Sequence, residues 1–250
     1  MTAASSSSKA VISSASDRRS VGNPQLQPLF QNPRTPTPTD TLIAPCPPPS
    51  WYHREVDTSS GYEAVADQFL ARRRRLPSTG IGGREVRNWA RRLPPKSSVI
   101  DIGCGPGFPI TAILVEEGLE VFGVDGAPTL VAAFRRNLPG VPIVCEAVQD
   151  SRLFDRTFDA ALAWGLMFLL NAEDQHRLMK RFSEILVPNG RLLFTSPATP
   201  ATWIDVMTDR ESVSLGGEKY RELMDDAGLT VSAEYEDEGE NHYFEAFKNS

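Results

Sequence analysis

The chain has 250 residues, of which 40% are hydrophobic, and its formal net charge at pH 7 is −6. This length suits one globular domain with a sizeable core, plus some additional chain. The acidic balance argues against a protein that holds nucleic acid through a basic surface, and no apolar run reaches the roughly 18 residues of a membrane span. We therefore expect a cytoplasmic protein with no nucleic-acid partner and no membrane partner.

Residues 1–50 differ in composition from the rest of the chain. They hold a serine run, Ser5 to Ser8, and many prolines between Pro33 and Pro49. Such a segment buries too little apolar surface to offset its ordering entropy, so we predict that it is disordered. Its serine-rich, basic and acid-poor composition is also typical of an organelle transit peptide, which leaves targeting open. A secretory signal is not expected, because an apolar core segment is missing.

Residues 51–97 are predicted to form a helical cap or lid. Ser60 is a plausible N-cap for a first helix, and Pro94 stops a second one. Both helices are indicated by apolar residues at helical spacing, namely Tyr62, Val65, Ala66, Phe69 and Leu70, and then Val86, Trp89, Ala90 and Leu93. The basic run Arg72 to Arg75 is expected at the end of the first helix, on a solvated face.

Residues 98–250 alternate between buried strands and amphipathic helices. The predicted strands are 98–102, 119–124, 141–145, 158–163, 191–195, 229–235 and 242–247. The predicted helices are 109–117, 128–137, 173–186 and 218–227. Alternation of this kind predicts an α/β fold with a mainly parallel, doubly wound sheet of seven strands. The short acidic turn 236–240 requires an antiparallel hairpin at the end, so one strand runs against the others.

The segment from Asp101 to Gly107 is the most informative part of the sequence. An apolar strand runs into glycines at 103, 105 and 107, and a helix follows. Glycines there let the backbone turn tightly and approach a ligand. Asp125 ends the next strand, where an acid can accept hydrogen bonds from ribose hydroxyls. The pattern predicts a site for a cofactor that contains a nucleoside.

Glycine spacing discriminates among nucleoside cofactors. A dinucleotide fingerprint, G-x-G-x-x-G, would need a glycine at position 108, which is Phe108. A phosphate loop of the Walker type is excluded, because no Gly-Lys-Ser/Thr is present.

Several motifs together resemble class I S-adenosylmethionine-dependent methyltransferases of the small-molecule type. Asp101 to Gly107 is similar to their motif D-x-G-x-G-x-G, and Val121 to Asp125 to their second motif. Thr157 to Ala163 resembles the fourth strand, and Leu186 to Leu193 the L-x-P-G-G turn. The resemblance implies a Rossmann-like fold and S-adenosyl-L-methionine as cofactor.

The resemblance also implies which residues contact the cofactor. In the loop after the third strand, Ala147 stands where the family has an Asp for the adenine, so Glu146 or Gln149 are the side-chain candidates there. Tyr62 resembles an aromatic that several members fold over the cofactor. The full set of implied contacts is Tyr62, Asp101, Gly103, Gly105, Gly107, Asp125, Ala147, Val148 and Trp164.

The implied reaction is methyl transfer to a small organic acceptor by in-line displacement. Such transfer requires no metal, and we find no metal-ligand motif. His242 and His53 are the candidates for a general base, and we assign this role to neither of them. Two alternatives stay open, an NAD(P)-dependent oxidoreductase and a non-catalytic binding protein with a cofactor fold. The sequence does not identify the acceptor or the oligomeric state.

Overall fold

A computed structural model describes residues 57, 59–73 and 82–250. The predictions for residues 1–50, for His53 and for Arg74 and Arg75 lie outside these residues. The helices are α1 (Ala66–Arg73), α2 (Gly83–Ala90), α3 (Ile110–Glu116), α4 (Pro128–Asn137), α5 (Ala172–Ile185) and α6 (Gly217–Asp226). The strands are β1 (Ser98–Ile102), β2 (Glu120–Asp125), β3 (Ile143–Cys145), β4 (Phe158–Ala163), β5 (Leu186–Thr195), β6 (Ala201–Ile204), β7 (Glu211–Ser214), β8 (Leu229–Glu236) and β9 (His242–Lys248).

Seven of the strands form one sheet in the order β3-β2-β1-β4-β5-β9-β8. The pairs from β3 to β5 are parallel, and β9 is antiparallel to both of its neighbours. This confirms the predicted Rossmann-like architecture with one antiparallel strand in a C-terminal hairpin. From β1 the chain continues through β2 and β3 on one side, and β4 and β5 lie on the other side. The connections that leave the carboxyl ends of β1 and β4 therefore run in opposite directions. Ligands of open α/β sheets bind at such a point.

Helices cover both faces of the sheet, so successive residues of a strand pack against different helices. Val99 packs with α2 and α3, including Trp89 and Leu114. Ile100, the next residue, packs in a different cluster, together with Phe182 of α5 and with residues of α6. Because both faces are covered, all five residues of β1 are buried.

The structure corrects two predicted boundaries. The hydroxyl of Ser59, and not that of Ser60, accepts a hydrogen bond from the backbone N of Glu63, at 3.0 Å. A short 3₁₀ turn, Glu63–Val65, then precedes α1. Strand β5 begins at Leu186, before the turn predicted to precede it, and its register with β4 shifts between Phe158 and Ala160. The turn is therefore an irregularity within the strand.

A second, two-stranded sheet of β6 and β7 was not predicted. It is an antiparallel hairpin inserted between β5 and α6. Its strands have four residues each, and the tip carries Ile204 and Val206, which are 57% and 91% exposed. Strands this short give a weak periodic signal. Among the described residues, no helix has the length and apolar character needed to cross a membrane.

Candidate active site

The glycine loop joins β1 to α3 and is held against the end of β2. The backbone N atoms of Gly103 and Cys104 both donate to the carbonyl oxygen of Val124, at 2.8 and 3.1 Å. Gly103, Gly105 and Gly107 all have positive φ angles, of 76°, 54° and 82°. These are left-handed conformations that glycine adopts without a steric cost. The loop therefore needs glycines at these positions for its backbone shape.

The three glycines differ in what surrounds them. A Cβ atom at Gly107 would lie 2.7 Å from Leu138, so this glycine is needed for packing. A Cβ atom at Gly105 would have only Phe69 nearby, at 3.8 Å. Gly105 thus faces open space in a pocket, where a ligand can approach the backbone.

Asp125 links the end of β2 to the glycine loop. Its Oδ2 atom accepts a hydrogen bond from the backbone N of Gly105 at 2.8 Å, and its Oδ1 atom accepts one from Ala127 at 2.9 Å. Burial raises the pKa of Asp125 to about 6, although these two hydrogen bonds oppose the rise. The side chain is therefore mainly a carboxylate at neutral pH.

Asp101 is the second buried acid of the site. It is 1% exposed, and its Oδ2 atom accepts a hydrogen bond from the hydroxyl of Thr111 at 2.6 Å. Burial raises the pKa of Asp101 to about 7, and the charge of Asp125 adds to the rise. Acids whose pKa is raised in this way are found preferentially at functional sites.

A pocket of about 640 Å³, open to solvent, lies at this edge of the sheet. Six of the residues predicted to bind the cofactor line it, namely Tyr62, Gly103, Gly105, Asp125, Val148 and Trp164. Asp101 lines an adjoining recess of about 330 Å³, together with Gly103 and Gly105.

Other predicted residues lie elsewhere. Gly107 and Ala147 do not line the pocket. Glu146 accepts hydrogen bonds from the hydroxyl of Ser151 and the backbone N of Arg152, so its carboxylate holds its own loop together. Gln149, the other adenine candidate, lines the pocket.

The structure does not bring His242 to the pocket. Its Nε2 and Nδ1 atoms lie 3.2 Å from Glu234 and 3.4 Å from Glu236, between two acids of β8. Successive residues of a strand point to opposite faces, and on β9 it is Tyr243 that points toward the pocket wall. Its hydroxyl accepts a hydrogen bond from Nε1 of Trp164 at 2.9 Å.

Arg73 is a pocket residue that the sequence analysis assigned to solvent. It lines both the pocket and the recess. Its guanidinium carbon lies 5.0 Å from the ring centre of Phe69 and 5.4 Å from that of Trp164. Burial lowers the pKa of Arg73, and within the described part of the chain no carboxylate forms an ion pair with it. Its position four residues after Phe69, on the same helix face, was the available signal.

Further residues of the pocket wall were also missed. Phe69, Leu130, Leu166 and Leu169 line it, and all are apolar. Their individual positions gave no signal beyond that of ordinary core residues. In the part of the chain that is described, no group of three or more His, Cys, Asp or Glu side chains could hold a metal ion.

The β6–β7 hairpin contacts the segment that carries Tyr62. Arg210 forms an ion pair with Asp57 at 2.5 Å, and Nη1 of Arg72 lies 2.8 Å from the sulfur of Met207. A Cβ atom at Gly61 would lie 2.8 Å from the Arg210 side chain. These contacts join the hairpin tip to residues 57–73 on the outer side of the pocket.

Comparison with known proteins gives a consistent family. The model of a methyltransferase domain matches residues 99–190. An uncharacterised methyltransferase from Mycobacterium tuberculosis is 33% identical over 97 residues, which are 38% of this chain and 37% of that protein. Phosphoethanolamine N-methyltransferase 3 from Arabidopsis thaliana is 26% identical over 146 residues, 55% of this chain and 29% of that protein. The chain thus spans 37% and 29% of the length of these two curated relatives.

Solved structures show the same fold at low sequence identity. A TehB-like S-adenosylmethionine-dependent methyltransferase from Corynebacterium glutamicum is 20% identical, with a TM-score of 0.60 over 75% of this chain and 99% of that one. The amino pentose methyltransferase CalS10 from Micromonospora echinaspora is 18% identical, with a TM-score of 0.57 over 74% of this chain and 97% of that one. Residues 99–190 thus match a methyltransferase domain, and the chain has the fold of S-adenosylmethionine-dependent methyltransferases of known structure.

Proposed function

We propose that the chain binds S-adenosylmethionine in the pocket and transfers its methyl group to a small organic acceptor. The hydrogen bond from Gly105 to Asp125 carries the proposal. This hydrogen bond joins Asp125 to the glycine loop on one wall of the pocket, where the neighbouring strands β1 and β2 end.

The Asp125 side of the pocket suits a nucleoside. Each carboxylate oxygen of Asp125 accepts one protein hydrogen bond and keeps acceptor capacity for a ribose hydroxyl. Leu130 and Val148 offer apolar surface for a flat base, and Gln149 offers an amide. A pocket that combines apolar walls with a few polar groups is typical of cofactor sites.

The recess suits the amino-acid end of the cofactor. It is lined by one acid, Asp101, and one cation, Arg73, with the glycine loop between them. These charges complement an ammonium and a carboxylate. A guanidinium can bind a carboxylate through two parallel hydrogen bonds, which favours Arg73 as its partner.

S-adenosylmethionine, when bound, supplies a methyl group on a sulfonium, which a nucleophile displaces in line. The residues of this chain would orient the reactants and exclude water. Tyr62 and Phe69 lie over the open side, and their rings meet edge to face at 5.3 Å. Burial raises the pKa of Tyr62 to about 12, so the phenol stays neutral and can donate a hydrogen bond.

Three observations support a small organic acceptor. The net charge of −6 opposes nucleic acid, and the wall near Trp164 is mostly apolar. The relatives named for phosphoethanolamine and for an amino pentose act, by those names, on small molecules. We assign no general base, since His242 lies away from the pocket and His53 is outside the described residues.

Calorimetric titration with S-adenosylmethionine and with NADH tests the proposal. We expect binding of S-adenosylmethionine alone, weakened about 10- to 100-fold in Asp125→Asn, because charge-assisted hydrogen bonds contribute about 1.5–3 kcal/mol. Asp159→Asn is the matched control, since that carboxylate also accepts a backbone hydrogen bond, from Ser98 at 2.7 Å, but at the opposite end of the sheet. The Asp159→Asn variant should bind S-adenosylmethionine as tightly as the unsubstituted chain does.

The other outcomes select the alternatives. Binding of NADH without S-adenosylmethionine would replace the proposal with an oxidoreductase. Tight binding of S-adenosylmethionine, with no S-adenosylhomocysteine formed across a panel of amines, phenols, thiols and carboxylates, would favour the non-catalytic binding protein.

A further inference from the structure

A row of hydrogen bonds lies behind the pocket wall. The Nε1 atom of Trp164 donates to the hydroxyl of Tyr243 at 2.9 Å, and this hydroxyl donates to Oδ2 of Asp237 at 2.9 Å. Tyr243 is 0% exposed, so no ligand can reach it. The Tyr243 hydroxyl contacts the pocket wall through Trp164.

The far end of this row is firmly held. Asp237 lies in the turn between β8 and β9 and accepts further hydrogen bonds from Asn241 and Gly239. Burial alone would raise the pKa of Asp237, but the hydrogen bonds, from Asn241 first, hold it below its ordinary value. Asp237 is therefore ionised, and its bond from Tyr243 is charge-assisted. The ring of Tyr243 also stacks on Tyr235, with centres 5.0 Å apart and planes at 8°.

The near end of the row reaches the recess. Trp164 lies against the backbone of Gly82, where a Cβ atom would be 2.6 Å from Nε1. On its pocket side, the Trp164 ring faces the guanidinium of Arg73, which lies between this ring and that of Phe69. Among the described residues, the guanidinium contacts these two rings and forms no ion pair.

We propose that Tyr243 is a positioning residue for the amino-acid end of the cofactor. It fixes the indole of Trp164, and the indole holds Arg73 where a carboxylate would meet it. This inference rests on the proposed function, because it assigns the contents of the recess.

Two ligands that differ only in the amino-acid end test the inference. S-adenosylhomocysteine has that end, and 5′-methylthioadenosine lacks it. In both ligands the sulfur is an uncharged thioether. Calorimetry on Tyr243→Phe should show about tenfold weaker binding of S-adenosylhomocysteine and unchanged binding of 5′-methylthioadenosine. Tyr235→Phe is the matched control, since its hydroxyl donates to Glu245 and not toward the pocket. It should leave both affinities unchanged.

Arg73→Met extends the test along the row. It should weaken S-adenosylhomocysteine selectively, by at least as much as Tyr243→Phe. Because both substitutions act on one contact, the double variant should bind no more weakly than Arg73→Met alone. If Tyr243→Phe is poorly folded, Asp237→Asn removes the charge at the end of the row and should give a smaller loss with the same selectivity.

Three results would overturn the inference. Equal loss of both ligands in Tyr243→Phe would indicate a general structural role, and unchanged binding of both would indicate no role. Additive losses in the double variant would separate Tyr243 from Arg73. If the unsubstituted chain binds neither ligand, the proposed function itself fails, and the inference fails with it.

Discussion

The floor and the roof of the pocket are built in different ways. The floor, formed by residues 101–107 and Asp125, consists of buried backbone and carboxylates joined by hydrogen bonds of 2.6–2.9 Å. The roof consists of Asp57 and residues 59–73, which pack on α4 through Ala66 and Leu130. The β6–β7 hairpin is joined to this roof by side chains at the surface. In its ion pair, the side chains of Arg210 and Asp57 are 49% and 31% exposed.

This difference separates what holds a ligand from what admits it. A buried and hydrogen-bonded floor keeps its shape with or without a ligand, because breaking it leaves polar groups unpaired. An exposed ion pair contributes about 0–1 kcal/mol, so the hairpin can separate from the roof at low cost. We expect substitutions in the floor to change affinity, and substitutions that loosen the hairpin from the roof to change rates.

The largest effect is expected at Gly105. Gly105→Ala should reduce the affinity for S-adenosylhomocysteine by at least about 100-fold, because the methyl group enters the pocket and disturbs the loop. Gly118→Ala is the matched control, since Gly118 also has a positive φ, of 80°, but nothing lies within 4 Å of its added Cβ. Both variants carry about 1–2 kcal/mol of backbone strain. Equal binding by the two variants, measured by calorimetry, would contradict a role for Gly105 in the pocket.

A second effect concerns the stability of the floor and its dependence on pH. The folded pKa of Asp101, about 7, exceeds the ordinary value of 3.8. Between these values the folded state binds more protons than the unfolded state, so stability falls as pH rises from about 4 to about 7. Asp101→Asn avoids this cost and can still accept the hydrogen bond from Thr111.

Thermal melting measures the size of this cost. Asp101→Asn should melt several degrees higher than the unsubstituted chain at pH 8, and most of this gain should be lost at pH 5. An equal gain at both pH values would show that the ionisation of Asp101 does not cause it.

The smallest effect is expected in the roof. Arg210→Ala should speed the release of S-adenosylhomocysteine by up to about fivefold, while the free energy of unfolding changes by less than about 1 kcal/mol. Arg221→Ala removes another surface ion pair, with Glu234, and should leave the release rate unchanged. High salt should bring the unsubstituted chain toward Arg210→Ala in a stopped-flow measurement. Equal release from all three proteins would remove the gating role of the ion pair.

The sequence predicted the floor because its signals are local. Strands β1 and β4 and helix α4 begin and end where the sequence placed them. In each case an apolar pattern is bounded by proline, glycine or charged residues. The glycine loop and Asp125 form within one β-loop-α-β unit, so neighbouring sequence was enough to bring them together.

The roof depends on contacts between distant parts of the chain, which a single sequence does not reveal. Arg73 lies against Trp164, and the hairpin tip forms an ion pair with Asp57. For His242, the strand was predicted correctly, but the side chain lies on the face of the sheet away from the pocket. The separation of residues 51–97 as a cap stays a prediction, as do the assigned roles of the pocket residues. Of its two described helices, α2 packs with α3 on the sheet.

A crystal structure with S-adenosylhomocysteine tests the central claim most directly. The account predicts ribose hydroxyls on the Asp125 carboxylate, the amino-acid end beside Gly105 and Arg73, and the thioether sulfur facing the space under Tyr62. A ligand bound elsewhere, or bound with its ribose away from Asp125, would contradict it.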